Sequence, residues 1–239
     1  MPAAFALHKW LQLFEDFHLF VDGFEVTIGI SVCALCLALF LGIIFGMCST
    51  GNLGILKGIS RVYVELFQNT PLLIQIFFLY NGLPYAGIVL PSLLIGVLAV
   101  GVYHGAYVSE VIRSGIESMP KGQMEAAQSQ GFSYLQAMRF IILPQAIRVI
   151  LPPLTNQAVN LIKNTSLLAV IAGGDLMYRA DAWAAQTVYY GPAFVVTGCL
   201  YFSLTFPLAI LVRKLEKISA IPGTTQVTLN TVKAVEGVA

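Results

Sequence analysis

The chain has 239 residues, of which 57% are hydrophobic and only 10% are charged. Soluble domains carry about 25% charged residues. This composition, with a mean hydropathy of +0.80, therefore excludes an ordinary soluble domain and indicates an integral membrane protein. The formal net charge of +1 gives no indication of nucleic-acid binding.

Residues 1–24 precede the first long apolar stretch. Glu15, Asp16 and Asp22 interrupt this segment, and it lacks the apolar core of a cleavable signal peptide. We predict that it is an extracytoplasmic segment. Its apolar side chains fit two interpretations equally, an amphipathic face on the membrane surface or a simple lead-in to the first span. The residues of that face are Phe5, Leu7, Trp10, Leu11, Phe14 and Phe17.

Five hydrophobic stretches have the length of about 20 residues that a helix needs to cross a membrane. We therefore predict an all-α integral membrane domain over residues 25–217. Four cysteines fall inside these apolar stretches, so they are packing residues, and no disulfide or metal site is predicted. The predicted spans cover about 26–48, 62–81, 92–109, 149–172 and 192–212.

Basic residues orient these spans, because cytoplasmic loops are enriched in lysine and arginine. Of the basic residues counted for this purpose, only Lys9 and Arg179 lie in segments on the same side of the membrane as the N-terminus. We therefore predict an extracytoplasmic N-terminus and a cytoplasmic C-terminus, with residues 218–239 as a disordered cytoplasmic tail. The basic residues on the cytoplasmic side are Lys57, Arg61, Arg113, Lys121, Arg139, Arg148, Arg213, Lys214 and Lys217.

The predicted cytoplasmic segment at about 118–144 has its own helix signals. Pro120 suits the first turn of a helix, and Gly131 suits the left-handed position that ends one. Ser133 and Gln136 have the spacing of a capping box, which predicts a second helix running to about Pro144. An ordinary helical hairpin explains Gly131 and Ser133, but it does not explain the residues that surround them.

Those surrounding residues form a pattern. Glu125-Ala126-Ala127 is followed after three residues by Gly131, and nine further residues lead to Ile141-x-Leu143-Pro144. The pattern resembles the EAA loop of the permease subunits of bacterial ABC importers. Four further stretches resemble polar amino acid permeases of the histidine, glutamine and glutamate type, and the resemblance covers roughly residues 24–217. These stretches are 63–73, 151–157, 163–167 and 201–213.

The resemblance implies the five-helix permease core of type I ABC importers in the bacterial inner membrane. It also implies that Glu125, Ala126, Ala127 and Gly131 belong to a short helix that docks on a cytoplasmic ATPase, with the alanines forming a low-relief face. The implied partners are two ABC ATPase subunits, a second permease (identical or a sister chain) and an extracytoplasmic amino-acid-binding protein. The chain is then a transport subunit, not an enzyme, and has no cofactor of its own.

The chain also lacks the phosphate-binding loop of ATPases. ATP and magnesium would therefore be bound by the partner subunit. Two other classes of function are alternatives, an ion-driven secondary transporter and a non-transporting scaffold. The absence of an inverted repeat argues against the first, and polar residues at mid-membrane depth argue against the second.

Polar residues inside a membrane are costly, at about 2.5–3.5 kcal/mol for a central lysine, so each needs a partner or a function. Lys163 is predicted either to meet a substrate carboxylate or to have a structural role, in which it pairs with a carboxylate or helix-end carbonyls or snorkels outward. Pro71 would free the carbonyl of Phe67 and loosen the second span. Because Asn164 is neutral and lies beside Lys163, we expect the substrate to be an acidic or neutral polar amino acid. The candidate path residues are Asn69, Thr70, Gln75, Tyr103, Lys163, Asn164, Thr165 and Ser166.

Three other polar residues are predicted to be structural. A lone histidine in a membrane span is more often a satisfied packing residue than a ligand, and we interpret His104 in that way. Glu65 and Glu110 lie near the cytoplasmic ends of their spans, where we expect them to pair with Arg61, Arg113 or Arg148.

Overall fold

The computed structural model describes residues 6–51 and 53–219, and every regular element in these ranges is helical. The predicted tail, except for residues 218 and 219, and Phe5 of the predicted amphipathic face lie outside the described residues. The helices are α1 (Leu7–Glu15), α2 (Phe17–Thr50), α3 (Gly54–Gln68), α4 (Leu72–Phe77), α5 (Ser92–Glu117), α6 (Lys121–Ser129), α7 (Tyr134–Ala137), α8 (Leu143–Asn164), α9 (Leu176–Thr187) and α10 (Tyr190–Ser219).

Four helical stretches are long and apolar enough to cross a membrane, and a bent helix pair brings the number to five. This confirms the all-α membrane fold. The helix α2 extends beyond its predicted span, with 34 residues where 26–48 was predicted, whereas α8 ends at Asn164, short of the predicted 172. Helices continue beyond the hydrocarbon whenever polar residues with helical propensity follow, so hydropathy underestimates their length.

The second span is broken. Two parts, Gly54–Gln68 and Leu72–Ala86, meet at 97°, so the interruption predicted at Pro71 is present, and the two parts together extend beyond the predicted 62–81 at both ends. The cause is Pro71, which ends α3 and precedes α4 with φ of −58° and ψ of 133°. The predicted linker over 81–91 is in part helical, because a π-helical turn (Phe78–Gly82) and a 3₁₀ turn (Leu83–Ala86) extend the second half.

Side chains satisfy the backbone at this break. Gln75 Nε2 donates to the carbonyls of Phe67 and Thr70 at 3.1 and 3.0 Å. Asn69 and Thr70 donate back to the carbonyls of Glu65 and Leu66 at 2.8 Å each. The carbonyl that the proline frees is therefore paired within the chain, as a backbone group in a membrane requires.

The centre of the bundle is the contact between α2 and α5. Gly42 lies so close to α5 that a Cβ on it would be 2.5 Å from Val108 Cβ, and one on Gly46 would be 2.8 Å from Ile112 Cβ. Ala34 and Ala38 on the same helix are fully buried. A stripe of small residues therefore lets the two backbones approach closely, as in many membrane helix pairs.

A second hydrophobic cluster joins α1, the start of α2, α9 and the start of α10. Leu13, Phe20, Leu176 and Trp183 are its largest members. The Trp183 Nε1 atom donates to Asp16 Oδ2 at 2.8 Å and ties α9 to the junction of α1 and α2. No sequence signal had predicted α9, since it is too short and too polar for a span.

The residues of the predicted amphipathic face divide between two environments. Leu7, Leu11 and Phe14 are 73%, 56% and 64% exposed. Phe17 packs partly against the second cluster instead. The helix α1 therefore has one buried side and one exposed apolar side.

The N-terminus of α9 is anchored by buried polar groups. Asp175 is fully buried and accepts a hydrogen bond from the Met177 backbone N–H at 3.0 Å, as an N-cap residue does. The Leu176 N–H donates to Thr27 Oγ1 of α2 at 3.0 Å. Burial raises the pKa of Asp175 to about 6, because desolvation disfavours the charged carboxylate.

The segment 118–144 confirms its predicted start, turn and cap. The helix α6 begins after Pro120, Gly131 has φ of 87°, and Ser133 and Gln136 form a reciprocal capping box. The predicted end at Pro144 was wrong. Proline is tolerated in the first turn of α8, so a π-helical turn (Met138–Ile142) passes from α7 directly into that helix.

We predict that Gly42→Ala lowers stability by about 1–3 kcal/mol, because the new methyl group overlaps Val108 and the helices must separate. Gly29→Ala on the same helix is the matched control, since its Cβ would meet nothing within 4 Å. The control should be neutral or more stable by up to about 1 kcal/mol. Thermal unfolding of the detergent-purified protein measures both, and equal effects of the two changes would contradict close α2–α5 packing.

Candidate functional site

A polar pocket of about 420 Å³ lies between α5 and α8. It opens at the surface of this chain and sits near the middle of α5, where the surrounding helices are apolar. Ligand pockets of this size carry a few polar groups that fix orientation. The lining residues are Tyr103, His104, Tyr107, Gln157, Asn160, Lys163 and Asn164.

His104 connects the two helices at the base of the pocket. It is 2% exposed. Its Nδ1 atom lies 3.2 Å from Gln157 Oε1, and its Nε2 atom lies 3.1 Å from Asn164 Nδ2. The prediction that His104 is a buried and satisfied side chain is therefore confirmed, although its partners belong to the pocket.

Two tyrosines form one wall of the pocket. The hydroxyl groups of Tyr103 and Tyr107 lie 3.0 Å apart, and Tyr103 packs edge-on against the ring of His104 with 5.3 Å between centroids. The two tyrosines are four residues apart, so one helical face carries both. Each hydroxyl can donate and accept, which gives this wall an uncharged hydrogen-bonding character.

Lys163 lines the pocket and is exposed in this chain. The ion pairs found among the described residues are Arg61–Glu65, Glu110–Arg113, Arg113–Glu117 and Asp22–Arg179, and none of them includes Lys163. The alternative of a structural ion pair thus has no partner in the described part of the chain. The pairing expected for Glu65 and Glu110 is confirmed.

Thr165 and Ser166 follow Lys163 but do not line the pocket. Thr165 is fully buried and donates to the Ile162 carbonyl at 2.7 Å. Ser166 donates to the Lys163 carbonyl at 2.7 Å. Both hydroxyls therefore donate to backbone carbonyls where α8 passes into the 3₁₀ turn Thr165–Ile171. Their role in this structure is to stabilise that helix end.

The span-two candidates lie elsewhere. Asn69, Thr70 and Gln75 make their hydrogen bonds within the break described above. Thr70 and Gln75 line a separate hollow of about 550 Å³ whose other lining residues are apolar. The structure thus brings Tyr103, Lys163 and Asn164 together but does not bring the predicted cluster into one site.

Sequence reasoning did not include Tyr107, Gln157 and Asn160 among the candidates. A signal for two of them existed, because Gln157, Asn160 and Asn164 are spaced i, i+3 and i+7 and so share one face of α8. Such a polar stripe on a membrane helix faces the protein interior or a water-filled path.

The predicted docking helix is α6, and it exposes only part of the low-relief alanine face that the sequence predicts. Glu125 and Ala126 are exposed, whereas Ala127 is 2% exposed and faces the protein itself. The Ala127 carbonyl accepts from the N–H groups of Gln130 and Phe132 at 3.1 Å each. The idea that both alanines form the outward face was therefore wrong, and Ala127 supports α6 from within.

Comparisons with known proteins agree with this architecture. The chain is 44% identical over 205 residues to "Probable glutamine ABC transporter permease protein GlnM" of Bacillus subtilis, covering 86% of this chain and 95% of that protein. It is 38% identical over 198 residues to "Probable glutamine ABC transporter permease protein GlnP" of the same organism, covering 82% of this chain and 91% of that protein.

Solved structures show the same fold. "Crystal structure of an amino acid ABC transporter with histidines" aligns with a TM-score of 0.81 and 32% identity over 87% of this chain and 97% of that one. The MetNI methionine ABC transporter aligns with a TM-score of 0.68 and 16% identity over 84% of this chain and 98% of that one. At this identity the match shows a likeness in fold alone. Residues 38–218 also match a family model. The chain belongs to the family described as "Binding-protein-dependent transport system inner membrane component".

Proposed function

We propose that this permease carries polar amino acids, including glutamine, along a path that contains the pocket between α5 and α8. The observation that carries the proposal is a group of hydrogen-bonding side chains that lines one pocket between two helices, near the middle of the long apolar helix α5. The names of the relatives GlnM and GlnP support glutamine as a substrate. Lys163 would bind the substrate carboxylate, and Asn164 would contribute an uncharged hydrogen-bonding group.

The pocket opens at the surface of a single chain, so a second permease, identical or a sister chain, would close the path. Two ABC ATPase subunits would bind on the cytoplasmic side and hold ATP and magnesium, and an extracytoplasmic amino-acid-binding protein would deliver the substrate. This chain would then contribute no catalytic group. Membership of the importer family favours this assembly over the ion-driven transporter and the scaffold.

The helix α6 would transmit closure of the ATPase pair to the membrane helices. Glu125 and Ala126 lie on its exposed side, and Gly131 ends it with a left-handed turn. Closure of the ATPases would move α6 and shift the paired permeases between inward-open and outward-open states. Such coupling requires an element with two arrangements that ATP binding favours differently.

Lys163→Met tests the substrate path. It removes the cation but keeps most of the apolar stem, so we expect uptake of labelled L-glutamine to fall about 10- to 100-fold, the range expected for a hydrogen bond to a charged group. Lys163→Arg keeps the charge and should retain part of the uptake. The measurement uses proteoliposomes with the complete transporter and its binding protein. Normal uptake by Lys163→Met would remove Lys163 from the path.

Ala126→Trp tests coupling. A large side chain on the exposed face of α6 should obstruct the ATPase groove and reduce co-purification of the ATPase and substrate-stimulated ATP hydrolysis at least several-fold. Ala127→Trp is the matched change on the buried face. It should instead lower thermal stability, because overpacking a buried site costs about 1–3 kcal/mol. If Ala126→Trp left both binding and stimulation unchanged, α6 would not be the docking helix.

Cysteine labelling tests the proposed orientation. In a background without Cys33, Cys36, Cys48 and Cys199, a cysteine replacing the exposed Gly122 of α6 should react with an impermeant thiol reagent only after the cells are opened. A cysteine replacing the exposed Gln186 of α9 should react in intact cells. The opposite labelling pattern would reverse the topology.

A further inference from the structure

Three polar atoms on α9 and α10 and at the cap of α9 are buried without a hydrogen-bond partner in the described part of the chain. They are Asp175 Oδ1, Arg179 Nε and the Tyr201 hydroxyl. Buried polar groups are nearly always paired, so each exception needs an explanation. Tyr201 lies close enough to Asp175 for their charges to interact. Its hydroxyl also lies beside those of Thr27 and Thr165, so α2, α9, α10 and the end of α8 meet at one polar junction.

Asp175 has no cationic partner at this junction. No ion pair among the described residues includes it, and Arg179 Nη1 lies 3.9 Å from Asp22 Oδ2 of α2 instead. The helix α10 contributes Tyr201, and the 3₁₀ turn Thr165–Ile171 contributes no titratable side chain. Burial without a cation favours the neutral acid and raises the pKa of Asp175 to about 6. The carboxyl group is therefore mostly neutral at about pH 5 and mostly ionised at about pH 7.5.

The Tyr201 hydroxyl has a single proton, and two oxygen atoms compete for it. Thr165 is fully buried and gives its own proton to the Ile162 carbonyl at 2.7 Å, so its oxygen can only accept from Tyr201. An ionised Asp175 can also only accept, and as the charged partner it takes the Tyr201 proton. Tyr201 then has no proton left for Thr165. Thr27 can donate to the Tyr201 oxygen in either state, so it does not decide between them.

A neutral Asp175 reverses this choice. Its protonated Oδ1 atom can donate to the Tyr201 oxygen, which leaves the Tyr201 proton free for Thr165. The hydrogen bonds then run in one direction from Asp175 through Tyr201 to Thr165, and on to the end of α8. Thr165 directly follows Asn164, which lines the pocket between α5 and α8. The protonation state of one buried acid thus determines whether the cap of α9 is joined to the helix end beside that pocket.

We propose that Asp175 is a regulatory proton-binding site that, when neutral, joins α9 to the end of α8 and slows transport. Alternating access requires the helices around the pocket to move, and a continuous hydrogen-bonded junction favours one of their arrangements. Acid on the side of the membrane that carries α9 would therefore stabilise the protein and lower uptake. The inference adds regulation to the proposed function. It rests on that function for the uptake measurement but not for the stability measurement.

Asp175→Asn tests the site, because the amide keeps the N-cap acceptor and supplies a permanent donor like that of the neutral acid. A raised pKa means that the folded protein binds the proton more tightly than the unfolded chain, so wild-type stability falls as the pH rises through about 6. The unfolding temperature of the variant should therefore exceed that of the wild type by roughly 5 °C at about pH 7.5, and the difference should nearly vanish at about pH 5. Thermal unfolding of the detergent-purified protein measures it.

Uptake of labelled L-glutamine into proteoliposomes that hold the complete transporter is the second measurement. Wild-type uptake should fall several-fold when the outside pH is lowered from about 7.5 to about 5. Asp175→Asn should be slow at both, so the ratio of variant to wild-type uptake should rise several-fold and approach one at about pH 5. The ratio cancels effects of pH on the binding protein and the ATPase. In a Thr165→Val background, Asp175→Asn should no longer change uptake, because the junction does not reach α8.

Asp181→Asn is the matched control: it removes an exposed carboxylate of α9 and should keep the wild-type pH dependence in both measurements. If Asp175→Asn fails to fold, Asp175→Ser replaces it, because serine also caps helices and does not titrate in this range. A merely structural role of Asp175 would give differences that do not change with pH. A constant difference in unfolding temperature, or a constant uptake ratio, would overturn the proposal. A wild type that takes up no glutamine would overturn the proposed function alone, since the unfolding temperatures would still decide whether Asp175 binds the proton.

Discussion

A polar group without a partner in hydrocarbon costs several kcal/mol, and the polar side chains of this bundle are arranged accordingly. Gln75 pairs the two carbonyls freed at Pro71. Ser60 Oγ donates to the Phe45 carbonyl at 2.7 Å and joins α3 to α2. Gln75 and Ser60 therefore stabilise a helix break and a helix contact, and these hydrogen bonds need no substrate to explain them.

The pocket between α5 and α8 is different, because it gathers polar side chains of two helices at one opening. His104 is buried and uses both ring nitrogens, whereas Lys163 is exposed and belongs to none of the ion pairs found among the described residues. Such groups suit water or a polar substrate. This grouping of polar side chains is the reason for proposing that the substrate path passes here.

Local signals predicted the helices of segment 118–144 well. Pro120, Gly131 and the Ser133–Gln136 pair act over three or four residues, and each has the predicted helix-terminal role. Pro144 was misinterpreted because proline ends a helix only where its missing N–H is needed, and in the first turn of α8 it is not. The polar stripe of Gln157, Asn160 and Asn164 was also visible in the sequence but was not used.

The sequence by itself determined the membrane class, the approximate spans and the importer family, because hydropathy and short motifs act along the chain. Only the tertiary structure decided which polar residues meet. It separated Asn69, Thr70 and Gln75 from Lys163 and Asn164, and it turned Ala127 inward beside an exposed Ala126. The physical reason is that the 97° break and the rotation of each helix depend on packing between helices distant in sequence, which a one-dimensional pattern does not contain.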